Sequence, residues 1–256
     1  MARRRHSNRR RRGSFGFLYK LLSVLVVCGC VVAALTLFFR VATVKVTGQQ
    51  RYTDAEVLAA SGIEVGDNLL LLNKYDAAQS IHDALPYIEQ IRIDRTLPST
   101  LTIEVRECSY PLAVVQDGSA WIVSSSGRVV DQKAEAAAES FGVISGCQLL
   151  SPSVGTQIAL STEYASQQAS LLALMAALES AGMMDRVDGI RLDDLSAIRM
   201  DYIGRFTVKM PYGADYEMKL KILREALAQD VVQDNMTGTF DMMRDDNRVF
   251  LDQSTR

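Results

Sequence analysis

Residues Leu21 to Phe39 read LLSVLVVCGCVVAALTLFF, nineteen positions without a charge, and no other stretch restricts the fold so strongly. At about 1.5 Å per residue it makes a helix of roughly 28 Å, close to the ~30 Å hydrocarbon thickness of a bilayer. Lys20 and Arg40 close it at either end, where long basic side chains snorkel toward headgroups. Phe15, Phe17, Tyr19, Phe38 and Phe39 sit near the two ends, where aromatic rings favour the interface. The run is apolar on every side, unlike a surface helix with one core-facing stripe. It outlasts the apolar core of a cleaved signal, about 7–15 residues, and Arg40 interrupts the one small-residue exit, Val41-Ala42-Thr43. The reading is a single membrane anchor.

Charge then orients it. The first 20 residues carry eight basic side chains and no acidic one. Basic flanks stay in the cytoplasm, so this tail faces inward and roughly 215 residues face outward. The whole chain has 28 basic and 30 acidic residues, which leaves 20 against 30 beyond the tail, a net charge of about −10. Such an exterior does not grip nucleic acid or another polyanion by bulk charge. Cys28 and Cys30 lie inside the span as small apolar packers, too deep for a lipidation site. Cys108 and Cys147 lie outside, where a disulfide is allowed, and their spacing does not decide whether they meet.

From Val41 to Glu107 the order is β-α-α-β-β. Val44-Lys45-Val46-Thr47 alternates as a half-buried strand and ends at Gly48. Thr53-Asp54-Ala55-Glu56 is a capping box, and its helix stops at Ser61-Gly62. Leu69 to Leu72 form a short apolar patch. Asn73 precedes a second helix, Lys74 to Leu85, ended by Pro86. Ile91 and Ile93, then Leu101, Ile103 and Val105, alternate with polar residues across a tight turn at Leu97-Pro98-Ser99. Pattern alone supports a small sheet covered on one face by two helices.

The runs Val-Lys-Val-Thr-Gly at 44–48, Tyr-Thr-Asp-Ala-Glu at 52–56, Gly-Asp-Asn-Leu at 66–69, and above all Ile91 to Glu107, resemble a POTRA domain. The resemblance is to the membrane-proximal POTRA of the bacterial division proteins FtsQ and DivIB, whose layout also includes a basic tail and one span.

From Cys108 onward, Leu112 to Gln116 and Ala120 to Val123 form a hairpin on an Asp117-Gly118 turn. Arg128 to Asp131 and Phe141 to Gly146 make further short strands, and Trp121 reads as a core residue. Between the latter two, Lys133 to Ser140 is a loop or short helix. A long helix from about Ser161 to Ala181 carries Leu171, Leu174, Met175 and Leu178 on one face. Three alternating strands follow at Ile190 to Leu192, Ile198 to Met200 and Phe206 to Met210. A helix from Tyr216 to about Gln229 comes next, then strand-like runs at Thr239 to Met243 and Arg248 to Leu251. Tyr110 to Val115, Gly127 to Asp131, Ile203 to Val208, Lys219 to Leu223 and Gly238 to Asp241 resemble the β domain of the same family. The fold class is α+β: tail 1–20, transmembrane helix 21–39, POTRA domain 41–107, and a mixed β domain 108–256 with an exposed edge strand.

No pattern of catalysis accompanies this layout. His6 lies in the tail, and His82 on a helix is expected to be exposed. There is no nucleophile elbow, phosphate loop or His/Cys cluster. Asp193-Asp194, Asp245-Asp246 and the Asp54/Glu56 pair read as turns or helix starts, not as metal sites. The resemblance implies a non-enzymatic division scaffold at the septum, without cofactor or small-molecule substrate, that binds FtsB/DivIC-like and FtsL-like bitopic proteins and helps coordinate septal peptidoglycan synthesis. It makes Phe250, Val249 and Leu251 of the last strand, Phe240 and Met242 of its neighbour, and Lys219 and Arg224 of the preceding helix the candidate partner surface. Strand alternation turns Phe250 away from Val249 and Leu251, which makes it the best single contact. A membrane-tethered receptor for a cell-wall ligand is the alternative from a different class.

Overall fold

The computed structural model describes residues 15–228, 236–244 and 249–253. Helix α1 (Phe15–Phe38) includes Leu18–Phe38, 21 residues long and apolar enough to cross a bilayer, with none of its length buried in the structure. It stops one residue before the expected end. The Phe39 carbonyl is bonded by the Leu69 amide at 2.8 Å.

The first sheet contains β1 (Thr43–Thr47), β2 (Ile88–Thr96) and β3 (Thr100–Glu107) in the order β1-β3-β2, with β1 parallel to the central β3 and β2 antiparallel to it. Helices α2 (Asp54–Ser61) and α3 (Lys74–Ala84) complete the β-α-α-β-β order read from the pattern. The capping box is present: the Thr53 amide donates to the Glu56 carboxylate at 2.8 Å, and the Glu56 amide donates to Thr53 Oγ1 at 3.3 Å. Asn73 caps α3 by accepting from the Tyr75 amide. Val57, Leu69, Ile81, Ile88, Leu101 and Ile103 fill the core between helices and sheet, each fully buried and worth roughly 1.5–3 kcal/mol. Gly48 has φ of +90°, and any side chain there would run into the Val105 carbonyl, so this strand end admits glycine.

The remaining strands form one nine-stranded sheet. They are β4 (Leu112–Gln116), β5 (Ser119–Val123), β6 (Val129–Ala134), β7 (Gly142–Ser145), β8 (Val187–Arg191), β9 (Ala197–Tyr202), β10 (Phe206–Pro211), β11 (Gly238–Asp241) and β12 (Phe250–Gln253). Their spatial order is β12-β11-β10-β9-β8-β7-β4-β5-β6. The β4–β7, β7–β8 and β10–β11 pairs are parallel and the others antiparallel. Asp117 and Gly118 both take positive φ in the β4–β5 turn, as an Asp-Gly hairpin requires. Residues Glu135–Ser140 form a 3-10 helix between β6 and β7.

Helices α4 (Ala165–Ala181) and α5 (Tyr216–Leu227) belong to the same core as the sheet. Leu171, Leu174, Met175 and Leu178 of α4 meet Tyr216, Leu220 and Leu223 of α5 over Ile190, Ile198, Met200 and Val208. The start of the long helix is a 3-10 turn, Thr162–Tyr164, so the α-helix begins four residues later than its pattern suggests. Trp121 is half-buried and packs against this core.

A smaller cluster, Tyr87 with Ala113, Ala120, Ile122, Val130 and Ala138, joins the two sheets. Polar bonds pin the junction. Arg128 is 5% exposed; its Nη2 donates to the His82 carbonyl at 2.7 Å, its Nε to the Gly155 carbonyl at 2.9 Å, and its Nη1 lies 2.7 Å from His82 Nδ1. Ser125 Oγ and the Ser126 amide donate to the Glu89 carboxylate, and Tyr87 donates to Asp131 at 3.0 Å. His82 is therefore half-buried against an arginine, contrary to the expectation of an exposed side chain. Burial and then the Arg128 charge hold its pKa below the ordinary value. Cys108 and Cys147 are both free thiols, and burial pushes them up to about 12 and about 11.

Candidate partner-binding edge

Strand β12 ends the sheet, so its outer main-chain groups meet no strand among the described residues. Its inner side pairs with β11 in the register Asp241–Phe250, Phe240–Leu251, Thr239–Asp252 and Gly238–Gln253. Gly238 makes that approach feasible: a Cβ there would lie 2.4 Å from the Asp252 carbonyl oxygen.

The seven expected contact residues divide. Phe250 is 49% exposed on the outward face, with the Arg244 guanidinium 5.9 Å from its ring centre. Val249 and Leu251 are half-buried and lean on the core. Arg224 is exposed and lines a groove between α4 and α5 with Ala177, Ala181, Met218 and Lys221.

The other three side chains are placed inside. Phe240 is 2% exposed, its ring 4.9 Å from that of Phe206. Met242 is 1% exposed, its amide bonded to the Lys209 carbonyl at 2.9 Å. Lys219 is 5% exposed, and its ammonium donates to the Arg244 carbonyl. The physical reason is periodicity. Phe240 and Met242 share the inward face of a strand whose alternate residues Thr239 and Asp241 look out. Lys219 stands among Tyr216, Leu220 and Leu223, on the apolar stripe of α5. These three shape the edge from behind and do not present side chains to a partner.

The outward face also carries polar rows that the sequence reading did not single out. One row runs Lys209, Asp241, Phe250 across β10, β11 and β12. Another runs Asp201, Thr207, Thr239, Asp252, with Arg191 Nη2 on Asp201 at 2.8 Å. Their signal is the polar half of each alternation, which becomes a row only when the strands lie side by side. Nearby, Asp194 accepts from the Ser196 hydroxyl at 2.7 Å and amide at 2.9 Å and from Arg199 at 2.7 Å, which holds its carboxyl at about 2. Among the described residues no group of three His, Cys, Asp or Glu converges on a metal position. Asp245 and Asp246 lie outside the described residues.

Comparison with known proteins adds to this geometry. Residues 39–107 match the model of the FtsQ-type POTRA domain. The cell division protein FtsQ of Corynebacterium glutamicum is 31% identical over 107 residues, 42% of this chain and 48% of that protein. The chain thus matches about half the length of that relative. Cell division protein DivIB of Clostridium botulinum is 23% identical over 213 residues, covering 83% of this chain and 82% of the relative. The FtsQ of Syntrophotalea carbinolica is 29% identical over 195 residues, 75% of this chain and 66% of the relative.

Proposed function

We propose, for a chain that belongs to the FtsQ/DivIB family of cell-division proteins, that strand β12 captures other bitopic division proteins by strand addition. The occupants are FtsB/DivIC-like and FtsL-like proteins, held outside the membrane while the span keeps all of them in one bilayer at the septum. Its basic tail faces the cytoplasm and its two sheets face outward. The protein acts as a non-enzymatic scaffold that helps coordinate septal peptidoglycan synthesis.

The observation that carries this reading is the open edge with Phe250 exposed upon it. An added strand satisfies the β12 amides and carbonyls that meet no strand among the described residues, and main-chain bonds supply affinity independently of side chains. Phe250 then supplies an aromatic anchor, the residue class that dominates interface energetics. Because it is half exposed and off the core, replacing it leaves the fold alone. Phe250→Asp in the full chain, purified from membranes with a tagged N-terminus, is expected to reduce recovery of the FtsB/DivIC-like partner at least tenfold. The circular dichroism spectrum should not change. Wild-type recovery with Phe250→Asp would remove Phe250 from the contact surface. In dividing cells, a fluorescent N-terminal fusion is expected as a mid-cell band that appears with constriction; uniform membrane signal throughout the cycle counts against the scaffold.

A further inference from the structure

Where α1 leaves the bilayer, the first sheet meets it with exposed leucines. Two separate turns are fastened to the chain at that exit. In the first, the Leu69 amide donates to the Phe39 carbonyl at 2.8 Å, the Val41 amide to the Asp67 carbonyl at 2.8 Å, and Asn68 Nδ2 to the Thr36 carbonyl at 3.4 Å. Asn68 Oδ1 also accepts from the Leu70 and Leu71 amides at 2.9 and 3.2 Å, which fixes the tip of the turn. At that tip Leu70 is 42% exposed and Leu71 78%, with Val65 69% exposed beside them. In the second turn, the Ser99 carbonyl accepts from the Ala42 and Thr43 amides at 2.8 and 3.3 Å, and Leu97 is 57% exposed.

Leu18–Phe38 has 21 residues, roughly 31 Å of helix, which matches the ~30 Å hydrocarbon layer. Headgroups add only about 6 Å on each side. Phe39 is therefore at the hydrocarbon boundary, and the side chains of Leu70 and Leu71, bonded one and two residues from it, fall within the headgroup layer. Exposed leucines next to water carry a hydration cost that a lipid surface at this position removes.

We infer that Leu70, Leu71 and Leu97 seat the first sheet on the lipid surface around the span's exit, the occupant being the bilayer that α1 enters. The seating is apolar. Arg40, Lys74 and Arg95 are exposed at this end, and so are Glu64, Asp67 and Asp76, so charge is nearly balanced and anionic lipid is not needed. The inference rests on α1 being a span, and its test separates the two.

The full chain with Trp121→Phe and one new tryptophan is reconstituted in phosphatidylcholine vesicles carrying a nitroxide on either the headgroup or the acyl chain. Val31→Trp, inside the span, is expected to be quenched by the acyl label. Leu71→Trp and Leu97→Trp are expected to be quenched at least twofold more by the headgroup label than by the acyl label. The same result should hold with phosphatidylglycerol added. If Val31→Trp is quenched and neither loop tryptophan is, the seating is overturned while the anchor stands. If Val31→Trp is not quenched, the span reading fails and the seating with it. Quenching of the loop positions only with phosphatidylglycerol overturns the apolar seating. Should Trp121→Phe not fold, subtracting the signal of the parent chain gives the same comparison.

Discussion

At one margin of the nine-stranded sheet, the amide of Val129 in β6 donates to the Thr156 carbonyl and its carbonyl accepts from Gly155, both at 2.8 Å. Asp131 and Lys133 on the same strand form an ion pair at 3.1 Å, and Asp131 also receives the Tyr87 hydroxyl. At the other margin, β12 has four residues, no such strap among the described residues, and an exposed phenylalanine. Sheet edges that must stay solitary are covered, charged or paired. The same sheet thus straps one edge with its own chain and, among the described residues, leaves the other uncovered. That difference is what supports the proposal of strand addition at β12.

The largest expected effect comes from opening the closed margin. Arg128→Met removes the donors to the Gly155 and His82 carbonyls, loosening strap and junction together. A loss of about 3 kcal/mol is expected, from buried carbonyls left without their charged donor. Thermal unfolding should show it as a fall of roughly 6–12 °C for an exterior of this size. Partner capture at β12 should persist below that midpoint; if capture is lost too, the two margins are not independent. Gly238→Ala attacks the open margin instead. Its Cβ collides with the backbone of Asp252, so β12 must shift away from β11 at a cost of about 2 kcal/mol. Capture measured by co-purification is expected to drop at least as far as with Phe250→Asp; full capture would show that a seated β12 is not what the partner reads.

Acid supplies the smallest perturbation. The Arg128 guanidinium only donates, and its Nη1 lies 2.7 and 2.8 Å from the two ring nitrogens of His82, so at least one of them must carry a lone pair. Burial and Arg128 lower the His82 pKa below 6.5 in the folded chain, so the unfolded chain binds the proton first as pH falls. The stabilisation is complete above about pH 6.5 and is lost as pH drops through the folded value. The melting midpoint should fall between about pH 7 and about pH 5.5, and the fall attributable to this residue should vanish in His82→Gln. An identical pH dependence in His82→Gln would take the histidine out of the junction's energetics.

Local features were legible in the sequence where local physics decides them. The capping box at Thr53 and Glu56, the Asp117-Gly118 hairpin and the buried stripe of α4 each follow from residues within one or two turns of one another. Joining β4 to β12 in a single sheet was not legible, because the parallel β4–β7 and β10–β11 pairings bridge intervening elements and leave no periodic trace. Nor was the Arg128–His82 contact, 46 residues apart. The candidate surface divides for a different reason. Phe240, Met242 and Lys219 were chosen by resemblance, although strand alternation and the α5 stripe already turned their side chains inward. Phe250, ranked first in the candidate set by alternation, is on the surface, as is Arg224.

The hydrogen bonds from Leu69 and Asn68 to the end of α1 have a mechanical meaning. A helix whose last carbonyls are bonded to a folded domain has no free swivel there. Arg128, Glu89 and Tyr87 continue the fastening from the first sheet to the second. These bonds tie the orientation of both sheets, and with it the azimuth of β12, to that of α1. A helix that packs beside α1 within the bilayer selects the direction in which the edge is presented above it.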